Sequence, residues 1–238
     1  MRPLEHWKVL PHGRLAEIED GILTVAGDIP MPLGHLSRRM TIVRLADRRL
    51  VIYSAIALDE KEMAFIESYG RPAFLIVPSD LHRLDARIWK DRYPSLQVVT
   101  PEGARAKVEE IVPVDTTSPD FGDPRVAFVT VPGVEGHEAA LVVNTDRGTT
   151  LVVNDLVGNI HHADGAGGWI LRAAGFAGDE PQVPRVVKKR IVEDEVALID
   201  QLERWSDMPC LSRIIVSHGT PIEDNPRRTL RSLARSLS

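Results

Sequence analysis

The stretch Thr149–His162, TTLVVNDLVGNIHH, decides how the rest of the chain is read. Leu151-Val152-Val153 is an apolar, β-branched run, the pattern of a strand buried on both faces. It ends in Asn154-Asp155, and Leu156-Val157-Gly158-Asn159 then leads to the pair His161-His162. A carboxylate at the end of a buried strand needs a cation, hydrogen-bond donors or a metal. The plainer reading is that Asp155 caps a turn or the next helix. A second stretch, Arg213–Pro221, RIIVSHGTP, has the same form, with Ile214-Ile215-Val216 delivering Ser217-His218-Gly219. Two buried strands that each end in a metal-competent side chain make the skeleton of a site. Asp155 and His218 are therefore expected to point into one cavity, with polar atoms within about 5 Å.

Working outward, 238 residues with 43% hydrophobic content bury a sizeable core, and no Pro/Gly/Ser linker divides them, so a single domain over 1–238 is expected. The net charge of −5 and scattered basic residues give no footprint for nucleic acid. No apolar run approaches the roughly 18 residues of a membrane span, and the polar opening MRPLEHWKVLPHGR lacks the apolar core of a signal peptide. A cytoplasmic protein with a small-molecule substrate or ligand is the expectation. Cys210 is the one cysteine, which excludes internal disulfides and cysteine-based zinc motifs; it reads as an inert packed thiol.

Apolar runs place strands at Leu15–Glu19, Ile22–Ala26, Met40–Leu45, Arg49–Tyr53, Ala73–Val77, Leu96–Val99, Val126–Val131, Ala139–Asn144, Thr149–Val153 and Ile214–Val216. Gly27–Arg39, rich in Pro, Gly and Met, reads as a loop, as does Gly165–Gly168. Helices are expected over Glu60–Tyr69, opened by a capping signal at Asp59, over Asp80–Asp91, over Glu102–Glu110 and over Trp169–Ala174. Val186–Trp205 reads as one long amphipathic helix, and Asn225-Pro226 opens the last. Hairpins in each half, with helices between and after, predict an α/β fold of two mixed sheets covered by outer helices.

This order of elements resembles the metallo-β-lactamase superfamily, an αββα four-layer sandwich with a metal site along one edge. VVND, ending in Asp155, matches the family's metal-bridging aspartate, and IIVSHG, ending in His218-Gly219, its last histidine. FLIVPSDLHRLD stands in the place of the HxHxDH signature. A poorly characterised branch is similar in IYSAIAL (Ile52–Leu58), in Pro78–His82, and in Trp89 and Tyr93-Pro94. The departures are as informative. Only His82 stands within the HxHxDH segment, although Asp80 and Asp85 are further candidates in an uncertain register. Val134 occupies the position of the histidine before the hairpin, with His137 displaced from it, and Ser54 stands where many relatives have Asp.

The resemblance implies a metal-dependent hydrolase with a reduced, at most mononuclear site. Its single divalent transition metal, zinc or iron, would be held by His82, Asp155 and His218. Asp80, Asp85, His137, His161 and His162 are candidates to surround it. The alternative is a catalytically inactive binding or interaction module on the same fold. His6, His12 and His35 lie in polar segments and read as solvated. There is no Gly-x-Ser-x-Gly elbow, no phosphate-cradling loop and no dinucleotide fingerprint.

Overall fold

The computed structural model describes residues 2–31, 34–161 and 165–237. They gather into two compact units: residues 1–29 with 37–124, and residues 30–36 with 125–238. Each unit is built on one sheet.

The first sheet has six strands in chain order: β1 (Ala16–Glu19), β2 (Ile22–Met31), β3 (Gly34–Arg44), β4 (Arg49–Tyr53), β5 (Arg71–Ile76) and β6 (Gln97–Val99). β1 pairs antiparallel with β2, and β3 with β4, whereas β4, β5 and β6 run parallel. The sheet is therefore mixed. Its parallel strands alternate with α1 (Glu60–Tyr69) and α2 (Ala86–Arg92), and α3 (Arg105–Glu109) follows β6 behind a 3₁₀ turn. Leu23, Ile42, Leu50, Ile52, Met63, Leu75 and Trp89 share one apolar cluster, whose burial supplies the driving force for this unit. Trp7 leans on Trp89 with ring centroids 5.7 Å apart, tying the N-terminal segment to α2.

The second sheet has four strands: β7 (Val126–Thr130), β8 (Ala139–Thr145), β9 (Gly148–Asn159) and β10 (Leu211–Gly219), in the order β10-β9-β8-β7. β7, β8 and β9 form an antiparallel meander, and β10 joins β9 in parallel. The helices of this unit are α4 (Gly165–Ala174), α5 (Arg185–Ile191), α6 (Glu195–Ser206) and α7 (Pro226–Leu237). Leu198, Leu202 and Trp205 of α6 and Leu230, Leu233 and Leu237 of α7 share a cluster with Leu151, Val153, Ile214 and Val216 of the sheet. Two mixed sheets with helices make the α/β class that the sequence predicted.

Several boundaries differ from the sequence reading, each for a local reason. Gly27–Arg39 is not a loop: β2 and β3 run through most of it, with only 32–33 outside the described residues. Asp80–Asp91 is helical only from Ala86, because the Asp85 side chain caps nothing and instead serves Arg38 and the Ala57 N–H. His82 therefore lies in the loop before α2 rather than in a helical first turn. Val186–Trp205 is two helices. The Glu193 and Asp194 N–H groups leave the helical path to donate to the Gly133 carbonyl, and Asp194 then caps α6 by accepting from the Ala197 N–H. Gly165–Gly168 belongs to α4 rather than to a loop. Cys210 is exposed, not packed, and sits at φ 52° where the chain turns into β10.

Candidate functional site

The decisive strand is longer than its apolar run. β9 does not end at Asn154-Asp155 but continues to Asn159, so Asp155 is carried inside the strand. The register with β10 explains how. Val216 faces Val153, yet His218 faces Gly158, so β9 advances from Val153 to Gly158 while β10 advances only from Val216 to His218. The surplus residues on β9 form an irregular excursion, the kind of strand defect that re-aims side chains. Asp155 lies on it.

There the Asp155 Oδ1 and His218 Nε2 atoms lie 2.8 Å apart, with each side chain only 4% exposed. Beside them runs a second polar chain. Ser217 Oγ donates to Asn154 Oδ1 at 2.7 Å, and Asn154 Nδ2 donates to Glu138 Oε1 at 3.2 Å. Glu138, Asn154 and Ser217 are all buried. The polar pair Asn154-Asp155 therefore does not end the strand, because neighbouring strands satisfy both side chains. Phe176 closes one side of His218 with its ring edge-on, at a centroid distance of 5.1 Å. Gly219 follows His218 at φ 112°, and a Cβ there would lie 1.9 Å from the Asn159 carbonyl oxygen. Only glycine allows β10 to leave His218 so close to the β9 backbone.

His82 belongs to the first unit. Its ring Nδ1 lies 2.9 Å from Ser54 Oγ, and its backbone N–H makes a long bond to the Ser79 carbonyl. Ser54 follows β4 at φ 55°, a left-handed conformation that costs a non-glycine residue about 1–2 kcal/mol. Its N–H donates to the Ile76 carbonyl, so the strained residue is anchored at the end of β5, just ahead of the His82 loop.

The remaining candidates are placed as follows. Asp85 is buried against Arg38, with its second oxygen accepting from the Ala57 N–H at 3.0 Å. Burial pushes its carboxyl up, while Arg38 and the Ala57 N–H pull it down. Asp80 is half-buried in the same loop as His82. Val134 is fully enclosed in the apolar cluster of the second unit, whereas His137 is half-buried in the turn before β8. His161 is exposed and His162 lies outside the described residues. His6 and His35 are exposed as expected, but His12 sits 3.4 Å from Glu62. His12, Asp59 and Glu62 bring ligand atoms within 4.8 Å of one another. Asp59 is already the N-cap of α1, and Glu62 accepts from the Leu15 N–H, so structural bonds account for both carboxylates. Sequence reasoning missed the parts played by Glu138, Asn154, Ser217 and Phe176. Only the polar interruption of an apolar run at Asn154 marked any of them.

The buried donor pair of the second unit fits a divalent transition metal in chemistry. It joins one imidazole nitrogen to one carboxylate oxygen, and zinc takes these at about 2.0–2.2 Å. Ligand atoms around one such ion stand roughly 3–4 Å apart. The 2.8 Å separation would need only a small opening to admit an ion.

No family model and no curated protein matches the sequence. Solved structures do. The metallo-β-lactamase DIM-1, in a crystal exposed to ceftazidime, aligns over 97% of this chain and all of its own, with TM-score 0.64 and 14% identity. The TMB-1 structure aligns over 96% of this chain and 99% of its own at TM-score 0.64 and 10% identity. The mono-zinc form of the metallo-β-lactamase FIM-1 from Pseudomonas aeruginosa aligns over 96% and 97% at TM-score 0.59 and 13% identity. The chain has the metallo-β-lactamase fold, as the sequence resemblance implied.

Proposed function

We propose that this protein is a metal-dependent hydrolase with a reduced site that holds at most one divalent transition metal. Asp155 and His218 would supply two of its ligands, and the resemblance of FLIVPSDLHRLD to the family signature assigns His82 as the third. The observation that carries the reading is the buried Asp155–His218 pair, 2.8 Å across, held at the irregular pairing of β9 with β10. A bound divalent ion lowers the pKa of its water and polarises the oxygen of an ester, amide or phosphoester. Asp155 contributes the negative charge that neutralises the cation. The edge of Phe176 and the burial of both side chains keep bulk water from the pair. FIM-1, which shares this fold, has a crystal structure in a mono-zinc form, in keeping with a single ion here.

A second reading rests on the same contact. At 2.8 Å, Asp155 and His218 satisfy one another without an ion, as they would in an inactive binding module. Metal analysis of protein purified without affinity tag or chelator separates the two. The hydrolase reading expects up to one zinc or iron per chain, lost in Asp155→Ala, together with turnover on a panel of ester, amide and phosphoester substrates. Protein that takes up no zinc, iron or cobalt at micromolar concentrations supports the module instead.

A further inference from the structure

We propose that Ser54 is a positioning residue for His82. Its hydroxyl holds the imidazole in the tautomer protonated on Nδ1, so that Nε2 carries the lone pair. The proposal rests on the hydrolase reading, which needs His82 to present one defined nitrogen, but its own evidence lies in the first unit.

Three observations carry it. Ser54 Oγ lies 2.9 Å from His82 Nδ1. Ser54 is only 5% exposed, so its hydroxyl is largely removed from competing water while His82 is half-buried. Its backbone is at φ 55°, where glycine or asparagine would sit with less strain. A strained residue persists where its surroundings over-determine it, and such residues cluster at functional sites. Here the Ser54 N–H is tied to the Ile76 carbonyl at 3.0 Å, which fixes the serine at the point where the chain leaves β4. His82 lies in the loop before α2, so a side-chain contact rather than helical backbone geometry sets its ring. A histidine that ligates a metal almost always donates its other ring N–H to a neighbouring acceptor, which sets both tautomer and orientation. A serine hydroxyl can be that acceptor.

The same pair could work in the opposite sense, with the hydroxyl donating to Nδ1 as a nucleophile donates to its base. The burial of Ser54 favours orientation over attack on a substrate, and the experiment separates the two. In the metal-free full chain, the ring nitrogens of His82 are observed by long-range ¹H–¹⁵N correlation, well above the ordinary histidine pKa of about 6.5. The wild type is expected to be protonated on Nδ1. Ser54→Gly suits the positive φ, so its melting temperature should hold or rise. Its ring should nevertheless relax to a mixture of tautomers, and its cobalt(II) and zinc affinity should fall about tenfold. Ser54→Asp, which returns an acceptor, should restore the Nδ1–H tautomer and most of the affinity. An Nε2–H tautomer in the wild type would overturn the proposal, as would unchanged tautomer and affinity in Ser54→Gly. Covalent labelling of Ser54 by a fluorophosphonate would overturn it in favour of a nucleophile. If the tautomer behaves as expected but no variant binds metal, the hydrolase reading fails and the positioning role survives.

Discussion

Among the described residues, each unit buries a close pair of ionisable side chains, and the two pairs differ in kind. In the first, Arg38 and Asp85 are sealed in the apolar interior, 5% and 1% exposed. An arginine keeps its charge at any ordinary pH and offers no lone pair, so this pair clamps β3 to the residue that precedes α2. In the second, Asp155 faces His218, and a neutral imidazole offers a lone pair. One arrangement ties two elements together; the other also offers a donor set for a cation. The burial of a charge is thus no sign of a site by itself. The chemistry of its partner is what distinguishes the two.

The sharpest way to break this comparison is Arg38→Met. It leaves the Asp85 carboxylate buried without its counter-charge and should lower the unfolding free energy by about 3–5 kcal/mol in urea titrations. Burial already holds the Asp85 carboxyl above its usual range. Stability contributed by the protonated form is complete below the unfolded pKa of about 3.9 and is lost as pH rises through the folded value. The deficit of Arg38→Met should therefore shrink on acidification. A loss below about 1 kcal/mol at neutral pH would mean that the clamp carries no structural weight.

The second pair should respond instead to metal. Zinc at a hundred times its dissociation constant should raise the stability of the wild type by about 2.7 kcal/mol and leave Asp155→Asn unmoved. An equal gain in both proteins would place the ion elsewhere. With chelator present, Asp155→Asn should itself cost only about 2 kcal/mol, because the amide keeps the shape and loses only the charge-assisted bond. A cost approaching that of Arg38→Met would class the two pairs together.

The helix caps calibrate the scale. Asp59 accepts from the Lys61 and Glu62 N–H groups, and Asp194 from the Ala197 N–H. Alanine at either position should cost about 1 kcal/mol in thermal melts, with no effect on metal uptake.

How far the sequence could be read follows from what each segment depends on. Leu151–Val153 and Ile214–Val216 announce buried strands by composition alone, and the capping signal at Asp59 is local, so β9, β10 and α1 were legible. The continuation of β9 past Asp155 was not. It depends on Ser217, Glu138 and His218, which reach Asn154 and Asp155 from other parts of the chain. The pairing of β2 with β3 was hidden likewise, since Pro, Gly and Met argue for a loop until neighbouring strands supply their hydrogen bonds. The late start of α2 follows from Asp85 spending its carboxylate on Arg38 rather than on a cap. At the site, the approach of Asp155 to His218 was within reach of pattern reading, whereas the contact between Ser54 and His82 was not. Nothing in IYSAIAL signals that its serine adopts a positive φ.

The parallel pairing of β9 with β10 has a consequence for how the molecule comes into being. Ser217 and Asn154 bond across 63 positions of chain, with α4, α5 and α6 in between. A contact of that separation must overcome the entropy of closing a long loop before any of its own stabilisation is gained, which makes such pairings slow. The β7–β9 meander is joined by short turns and can form early. The irregular stretch that carries Asp155 acquires His218 only when β10 arrives, so the Asp155–His218 pair is among the last features to assemble. During refolding, amides of β8 should gain protection from hydrogen exchange before those of β10, and the ability to capture a metal ion should appear only with the latter.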